Sequence, residues 1–347
     1  MLHAQQMASA SGDDATALLE MIGASWKSQV ICVAAELRIA DFLADCTQTN
    51  EDLARKTGCH GPSMGRLMRA LTSLGICVEL DDGSFALTPT GEMLRADTPR
   101  SVNAWAVWWG KYHWPVWGNL LYSVRTGGTA RELVTGQLGY AHIERDPQAA
   151  LVFNRAMVGI TGLIASAVAR AYDFSAAKTV VDIGGGFGVL LTAILSANTD
   201  ATGIVFDLPH AMDGAAKLAA DAGVAQRVSL ISGDFFRRVP EGADIYLLKS
   251  VLHNWDDERC SVILTCCRRA MAKGAKLVLV ERIMPAHVQN AVADQAVVRA
   301  DLNMLVGLGG RERTAAEFKS LLAVSGFKVT KLMPAAYDFS VIEAIPD

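Results

Sequence analysis

A chain of 347 residues is about twice the usual single-domain length, so two domains are expected. With 51% hydrophobic and 20% charged residues it can fill a sizeable core and is no disordered chain. The net charge of −4 is unevenly spread: residues 1–100 hold 8 Lys and Arg against 13 Asp and Glu, which argues against a general affinity for nucleic-acid backbones.

The first dozen residues are small and polar and are expected to fray. They lack the basic start and apolar core of a secretory signal. From Ala15 to Phe42 apolar residues recur at helical spacing, through Leu18, Leu19, Ile22, Trp26, Val30, Val33 and Leu37. A helix capped by Asn50 and ended by Gly58 follows, then a second from Pro62 to Leu74, stopped at Gly75. Ile76–Leu80 and Ser84–Leu87 flank Asp81-Asp82-Gly83 as a hairpin. This is a winged-helix pattern, but its second helix carries only Arg66 and Arg69 in acidic surroundings. Packing or dimerisation therefore explains it better than DNA binding.

Residues 101–170 read as helical, with Trp105, Trp108, Trp109, Tyr112, Trp114 and Trp117 clustered where they could wall an aromatic ligand. The uncharged run 156–169 is long enough only for a buried helix, so no membrane span is expected. From Lys178 the pattern changes, placing a domain boundary near 170–178. Strand-like runs at Thr179–Ile183, Gly203–Asp207, Arg227–Ile231, Asp244–Lys249, Lys276–Glu281, Phe327–Leu332 and Ser340–Ala344 alternate with helix-length segments. That alternation predicts an α/β domain with a parallel sheet covered on both faces. The division expected is 1–100, a helical connection over 101–175, and the sheet domain over 176–347. Seven cysteines without a C-x-x-C pair or a metal-ligand spacing read as reduced thiols of a cytosolic protein.

In an open parallel sheet, ligands bind beyond the carboxyl ends of the strands. Five successive strand ends carry Asp182, Asp207, Asp234, Lys249 with His253 just beyond, and Glu281. The first loop, Asp182-Ile183-Gly184-Gly185-Gly186-Phe187-Gly188, has Val189 where a dinucleotide fingerprint needs its third glycine. It fits an adenosyl ligand without a pyrophosphate. Asp207 stands where a carboxylate can accept ribose hydroxyls, and Asp234 with Phe235 can receive an adenine ring. His253 can act as a general base, because an imidazole titrates near the working pH.

The stretches VVDIGGGFG, FDLP, GDFF, LLKSVLHNWDDE, LVLVERIMP and GGRERTAAEF resemble the caffeic-acid-type (class I) family of S-adenosylmethionine-dependent O-methyltransferases. The likeness is to a bacterial natural-product member and extends over nearly the whole chain. It implies a seven-stranded Rossmann-like methyltransferase domain preceded by a helical, winged-helix-like dimerisation domain, and hence a homodimer. It also implies that Asp182, Gly184, Gly186, Asp207, Leu208, Asp234, Phe235 and Lys249 hold S-adenosyl-L-methionine. By the same likeness His253 is the base, oriented by Glu281 and Glu312. Arg311 and Arg313 could instead pair with Glu312 at the surface, and Thr314 to Glu317 reads as a capping box.

Phe153 and Met157 on one helical face, with Asp301, Asn303 and Met304, match segments that line the family's substrate pocket. The family usually has Asp after the histidine; here Asn254 stands, which can cap or hydrogen-bond but cannot be an anionic partner. No metal is needed when a base is present. The expectation is a cytoplasmic enzyme acting on a hydroxyl of an aromatic or polyketide-like small molecule, with neither nucleic acid nor membrane as partner. Transfer to nitrogen or a carboxylate and cofactor-assisted hydroxylation are alternatives on the same fold. A winged-helix regulator with a ligand-sensing half is the alternative outside enzymes.

Overall fold

The structure, a computed structural model, describes residues 12–347 except Pro99 and Leu138. The expected fraying of the first dozen residues therefore falls almost wholly outside the described residues. The chain divides into two compact units, one ending at Tyr112 and one spanning His113–Asp347. The division lies well before 170–178, because the helical segment after 112 packs on the helices of the second unit.

In the first unit the apolar stripe does not form one helix. It is broken into α1 (Gly12–Gly23), α2 (Ser25–Glu36) and α3 (Ile39–Phe42), with Arg38 left-handed at φ 55° between the last two. Ile39, Ala40 and Leu43 are thereby turned into the core, where Val30 and Leu37 also pack. Leu18, Leu19, Ile22, Trp26 and Val33 instead stay exposed. In α4 (Asn50–Thr57) the cap is Thr49, not Asn50: the Thr49 hydroxyl accepts from Asp52 N, and Asp52 closes the box. Gly58 ends the helix at φ 69°. Helix α5 (Gly61–Ser73) and the hairpin β1 (Cys77–Glu79) and β2 (Phe85–Leu87) complete the winged-helix pattern, with Met64, Met68, Leu71 and Phe85 inside. Short helices α6 (Pro89–Glu92) and α7 (Asn103–Val107) follow. A π-helical turn, Trp108–His113, carries the chain past the division between the units.

The second unit begins with four short helices, α8 (Trp114–Trp117), α9 (Leu120–Thr126), α10 (Ala130–Thr135) and α11 (Ala141–Glu144). Helix α12 (Pro147–Ala171) is next. At 25 residues it is far longer than the 156–169 segment suggested, and by length and composition alone it could cross a membrane. Here Ile164, Ala165 and Val168 near its end are buried in the core beneath the sheet. Then come β3 (Thr179–Ile183), α13 (Val189–Ala197), β4 (Thr202–Asp207), α14 (Met212–Asp221), β5 (Val228–Ser232) and β6 (Ile245–Lys249). The remainder is α15 (Asp257–Ala270), β7 (Lys276–Met284), α16 (Val292–Gly307), β8 (Arg313–Thr314), α17 (Ala315–Val324), β9 (Phe327–Pro334) and β10 (Phe339–Pro346).

All seven expected strands form one sheet in the order β5-β4-β3-β6-β7-β10-β9, and the two-residue β8 pairs with the end of β7. The sheet is mixed rather than parallel: β10 runs antiparallel between β7 and β9. Only four residues join β9 to β10, too few for the crossover that a parallel pair requires. Two apolar cores cover its faces, one centred on α15 and α17 and the other on α12, α13 and α14. The five parallel strands end at one edge, which sets the site.

Candidate active site

The glycine loop leaves β3 over a buried acid. Asp182 is almost fully enclosed, and a Cβ on Gly185 would lie 2.7 Å from its carboxyl carbon, so only glycine lets the loop fold back over it. Gly184 and Gly186 adopt positive φ, 67° and 57°. Burial and the nearby charge of Asp207, partly offset by Lys249, push the Asp182 carboxyl up to about 7. Asp207, closing β4, accepts hydrogen bonds from Gly186 N at 2.7 Å and from Leu208 N at 2.6 Å, while burial holds its pKa up. Leu208 is exposed beside it. Asp234, half-buried after β5, accepts from Phe236 N. The Phe235 ring lies 3.6 Å from where a Gly184 Cβ would stand, which brings the third strand end against the glycine loop.

This donor set suits one kind of ligand. Asp207 and Asp234, which are not enclosed as Asp182 is, offer carboxylate acceptors for ribose hydroxyls, would repel a pyrophosphate and tolerate a cationic ligand. S-adenosylmethionine, an adenosyl sulfonium without phosphate, fits them.

Lys249 ends β6 and donates to Thr161 Oγ1 at 3.2 Å, with its ammonium 5.4 Å from the centre of the Phe339 ring. Burial and Arg282 lower its pKa to about 8. Thr161 lies four residues after Met157 and eight after Phe153 in α12, so the contact with Lys249 brings that face of the helix to the sheet edge. On α16, the Asn303 side-chain oxygen accepts from Trp117 Nε1 at 3.2 Å, and Met304 is buried. Of the tryptophan cluster, Trp117 thus reaches a predicted pocket residue. Trp105 and Trp109 lie against each other in the first unit, and Trp108 stacks on Tyr112 there.

His253 sits in a 3-10 turn, Leu252–Asn254, just past β6. Its Nδ1 lies 2.9 Å from Glu312 Oε1 and 3.9 Å from Glu281 Oε2. All three side chains are buried. Glu281 uses Oε1 to accept from Val251 N at 3.0 Å and Leu252 N at 2.9 Å, so one carboxylate shapes the turn and faces the imidazole. Burial alone would lower the His253 pKa; Glu312 and Glu281 more than offset it, and the net shift is upward. Glu281 is raised by burial against the opposing pull of His253. Oε2 of each glutamate is buried without a hydrogen-bond partner among the described residues, spare acceptor capacity that favours a protonated ring. The ligand atoms of the three side chains all lie within 4.8 Å of one another, so the cluster can gather positive charge as an imidazolium or as a bound cation.

The arginines beside Glu312 do not take it to the surface. Arg311 pairs with Asp257 and Glu317, and Arg313 with Asp257, leaving Glu312 turned inward. Asp301, read from sequence with the pocket segment, instead accepts from Glu312 N at 2.8 Å. Asn254 donates its amide to Ser250 O at 3.0 Å, and Ser250 is left-handed at φ 54°.

Sequence reasoning passed over Thr161 and Tyr140, and read Arg313 only as a surface partner for Glu312. Thr161 was available as the next position on the Phe153 and Met157 face. The Tyr140 ring lies 5.8 Å from that of Phe153, and its hydroxyl is held protonated by burial and by Asp207 and Glu281, with Arg131 opposing. No motif marks it.

A family model described as the O-methyltransferase domain matches residues 117–328, and one described as the O-methyltransferase dimerisation domain matches residues 19–97. A phenazine O-methyltransferase of Lysobacter antibioticus is 43% identical, the match covering 95% of each chain. A phenazine-1-carboxylate N-methyltransferase of Pseudomonas aeruginosa is 30% identical over 94% of this chain and 96% of that one. Among solved structures, human N-acetylserotonin methyltransferase in complex with S-adenosylmethionine superposes with a TM-score of 0.90 at 25% identity, covering 98% of this chain and 99% of that one.

Proposed function

The chain belongs to the caffeic-acid-type family of S-adenosylmethionine-dependent methyltransferases, and we propose that it methylates a hydroxyl of an aromatic or polyketide-like small molecule with His253 as general base. The observation that carries this reading is the buried His253 Nδ1 at 2.9 Å from Glu312, at the strand edge that also holds the glycine loop.

Bound S-adenosylmethionine supplies an electrophilic methyl group on a sulfonium. Gly184, Gly186, Asp182, Asp207, Leu208, Asp234, Phe235 and Lys249 are the residues that would hold it. A neutral hydroxyl is a poor nucleophile, so the chain must remove its proton as the new bond forms. With Nδ1–H donating to Glu312, the lone pair of His253 is on Nε2, available to the acceptor's O–H. When Nε2 takes the proton, the ring becomes an imidazolium that Glu312 and Glu281 stabilise where it stands. Phe153, Met157, Asn303 and Met304 supply apolar and amide surface suited to a flat ring.

The test is transfer from labelled cofactor to a panel of phenols by wild type and His253→Ala. Removing the base should cost about 10²–10⁴ in rate. Full rate in His253→Ala would end that assignment.

The relative that acts on nitrogen supports a second reading, transfer to a ring nitrogen, in which no proton need be removed. Fragment masses locating the new methyl group separate the two. The exposed Leu18, Leu19, Ile22 and Trp26, together with the matched dimerisation model, support a homodimer. Sedimentation should then give about twice the 37.1 kDa chain mass, and a chain that sediments as a single copy would refute it.

A further inference from the structure

We propose that Arg313 is a positioning residue for the base: its guanidinium fastens the turn carrying His253 to the strand that follows Glu312, and so sets the separation of that pair. The inference rests on the general-base reading only for its kinetic consequence, since the fastening itself concerns two residues whose contact is structural fact.

Arg313 is fully buried and immediately follows Glu312. Its Nη1 donates to Leu252 O at 3.0 Å and its Nη2 to Trp255 O at 2.8 Å. Nε and Nη2 also reach Asp257 Oδ1, at 3.0 and 2.7 Å. Leu252 and Trp255 bracket the turn in which His253 sits, and Asp257 begins α15. One rigid planar group therefore grips both ends of the turn and the helix after it. Glu312 meanwhile engages the imidazole of the same turn at 2.9 Å. Two adjacent residues thus hold one turn, Arg313 by its backbone and Glu312 by its side chain.

Gly310 shows how closely the two segments lie. A Cβ there would stand 2.1 Å from His253 O, 2.4 Å from Asn254 C and 2.6 Å from Trp255 N, all backbone atoms that cannot move aside alone. Lysine would keep the charge at 313 but offers a single ammonium, which cannot reproduce the fork to two carbonyls and a carboxylate.

The test is Arg313→Lys, with Asp257→Asn as a gentler variant because Asp257 lies near the surface and supplies the fork's anion. The primary readout is the titration of His253 by NMR on protein with isotope-labelled histidine, which needs no turnover. The charged groups facing His253 are Glu312, Glu281 and Arg282, none of them altered. If the fork sets the pair, Arg313→Lys lets Glu312 drift from Nδ1. The His253 pKa then falls toward its ordinary value near 6.5, and the rising limb of kcat against pH moves with it. A displacement of about 1 Å costs up to ~100-fold, so kcat should fall by roughly 10–100-fold while KM for S-adenosylmethionine stays within about twofold. Asp257→Asn should move both readouts the same way by less, and it carries the test if Arg313→Lys does not fold. A folded variant with a lowered melting temperature but an unmoved His253 titration and pH limb would overturn the proposal, leaving Arg313 a structural residue only. If the titration moves while His253→Ala retains full rate, the positioning stands and the general-base reading falls.

Discussion

Glu312→Gln is the sharpest single perturbation of the site. It removes one negative charge 2.9 Å from His253 Nδ1 while preserving the shape of the side chain and the bond from Glu312 N to Asp301. Two unit charges about 4 Å apart interact by ~4 kcal/mol at an effective dielectric of about 20. Glu281 remains at 3.9 Å and continues to hold the ring. The His253 pKa should therefore fall, with burial now less opposed.

Two assays read this independently. NMR titration of labelled histidine gives the pKa directly, and the rate profile should show its rising limb at lower pH with a lower plateau, because a less basic imidazole is a weaker proton acceptor. Stability should also change with pH. A folded-state pKa raised above the unfolded value stabilises fully below about 6.5, and that contribution is lost as pH rises through the folded value. Glu312→Gln should thus be most destabilised, relative to wild type, in acid, with the gap narrowing at alkaline pH. A His253 titration that stays put or moves upward in the variant would refute the reasoning, since neither is compatible with a carboxylate stabilising the imidazolium.

Two further substitutions test the surroundings. Asp207→Ala removes the acceptor of both the Gly186 and Leu208 amides and should weaken S-adenosylmethionine binding by about 1.5–3 kcal/mol, roughly 10–150-fold; unchanged calorimetric affinity would remove Asp207 from the site. Asn254→Asp replaces the donor to Ser250 O with a buried carboxylate facing a carbonyl, and should cost about 1–3 kcal/mol. That carboxyl will titrate above its ordinary value, so the loss should grow as pH rises through it. Equal melting temperatures for the variant and wild type at pH 8 would contradict the account.

Asn254 also marks what the sequence could and could not convey. Its identity was plain, and so was its departure from the family's usual acid, but a chemical reason needed the left-handed Ser250 whose carbonyl it holds. The strand ends were legible for a simple cause. Buried parallel strands are apolar runs, and the first charged residue after each run is where the chain reaches the crevice. Asp207, Asp234, Lys249 and Glu281 follow that rule, while Asp182 lies one residue inside its run and His253 four residues past Lys249. What stayed hidden depended on tertiary geometry. The turn at Arg38 breaks a stripe that is helical by period, and a connection of only four residues makes β10 antiparallel although its composition resembles its neighbours.

The segment Gly310-Arg311-Glu312-Arg313 shows the same limit in its strongest form. Read locally, an acid between two arginines is a surface ion-pair cluster, and in water such a cluster contributes little. The structure separates the three by burial. Arg311 remains half-exposed on Asp257 and Glu317, whereas Glu312 and Arg313 are enclosed, each taken up by the turn of His253. An isolated buried charge would be costly, so each must find compensation in place. Glu312 finds it in the imidazole, and Arg313 in two carbonyls and Asp257. Nearness in sequence favoured pairing these charges with one another. What directs them apart is the turn, whose histidine requires an anion and whose carbonyls require a donor. That demand comes from a segment some sixty residues earlier in the chain, where no local pattern of residues 309–313 could record it.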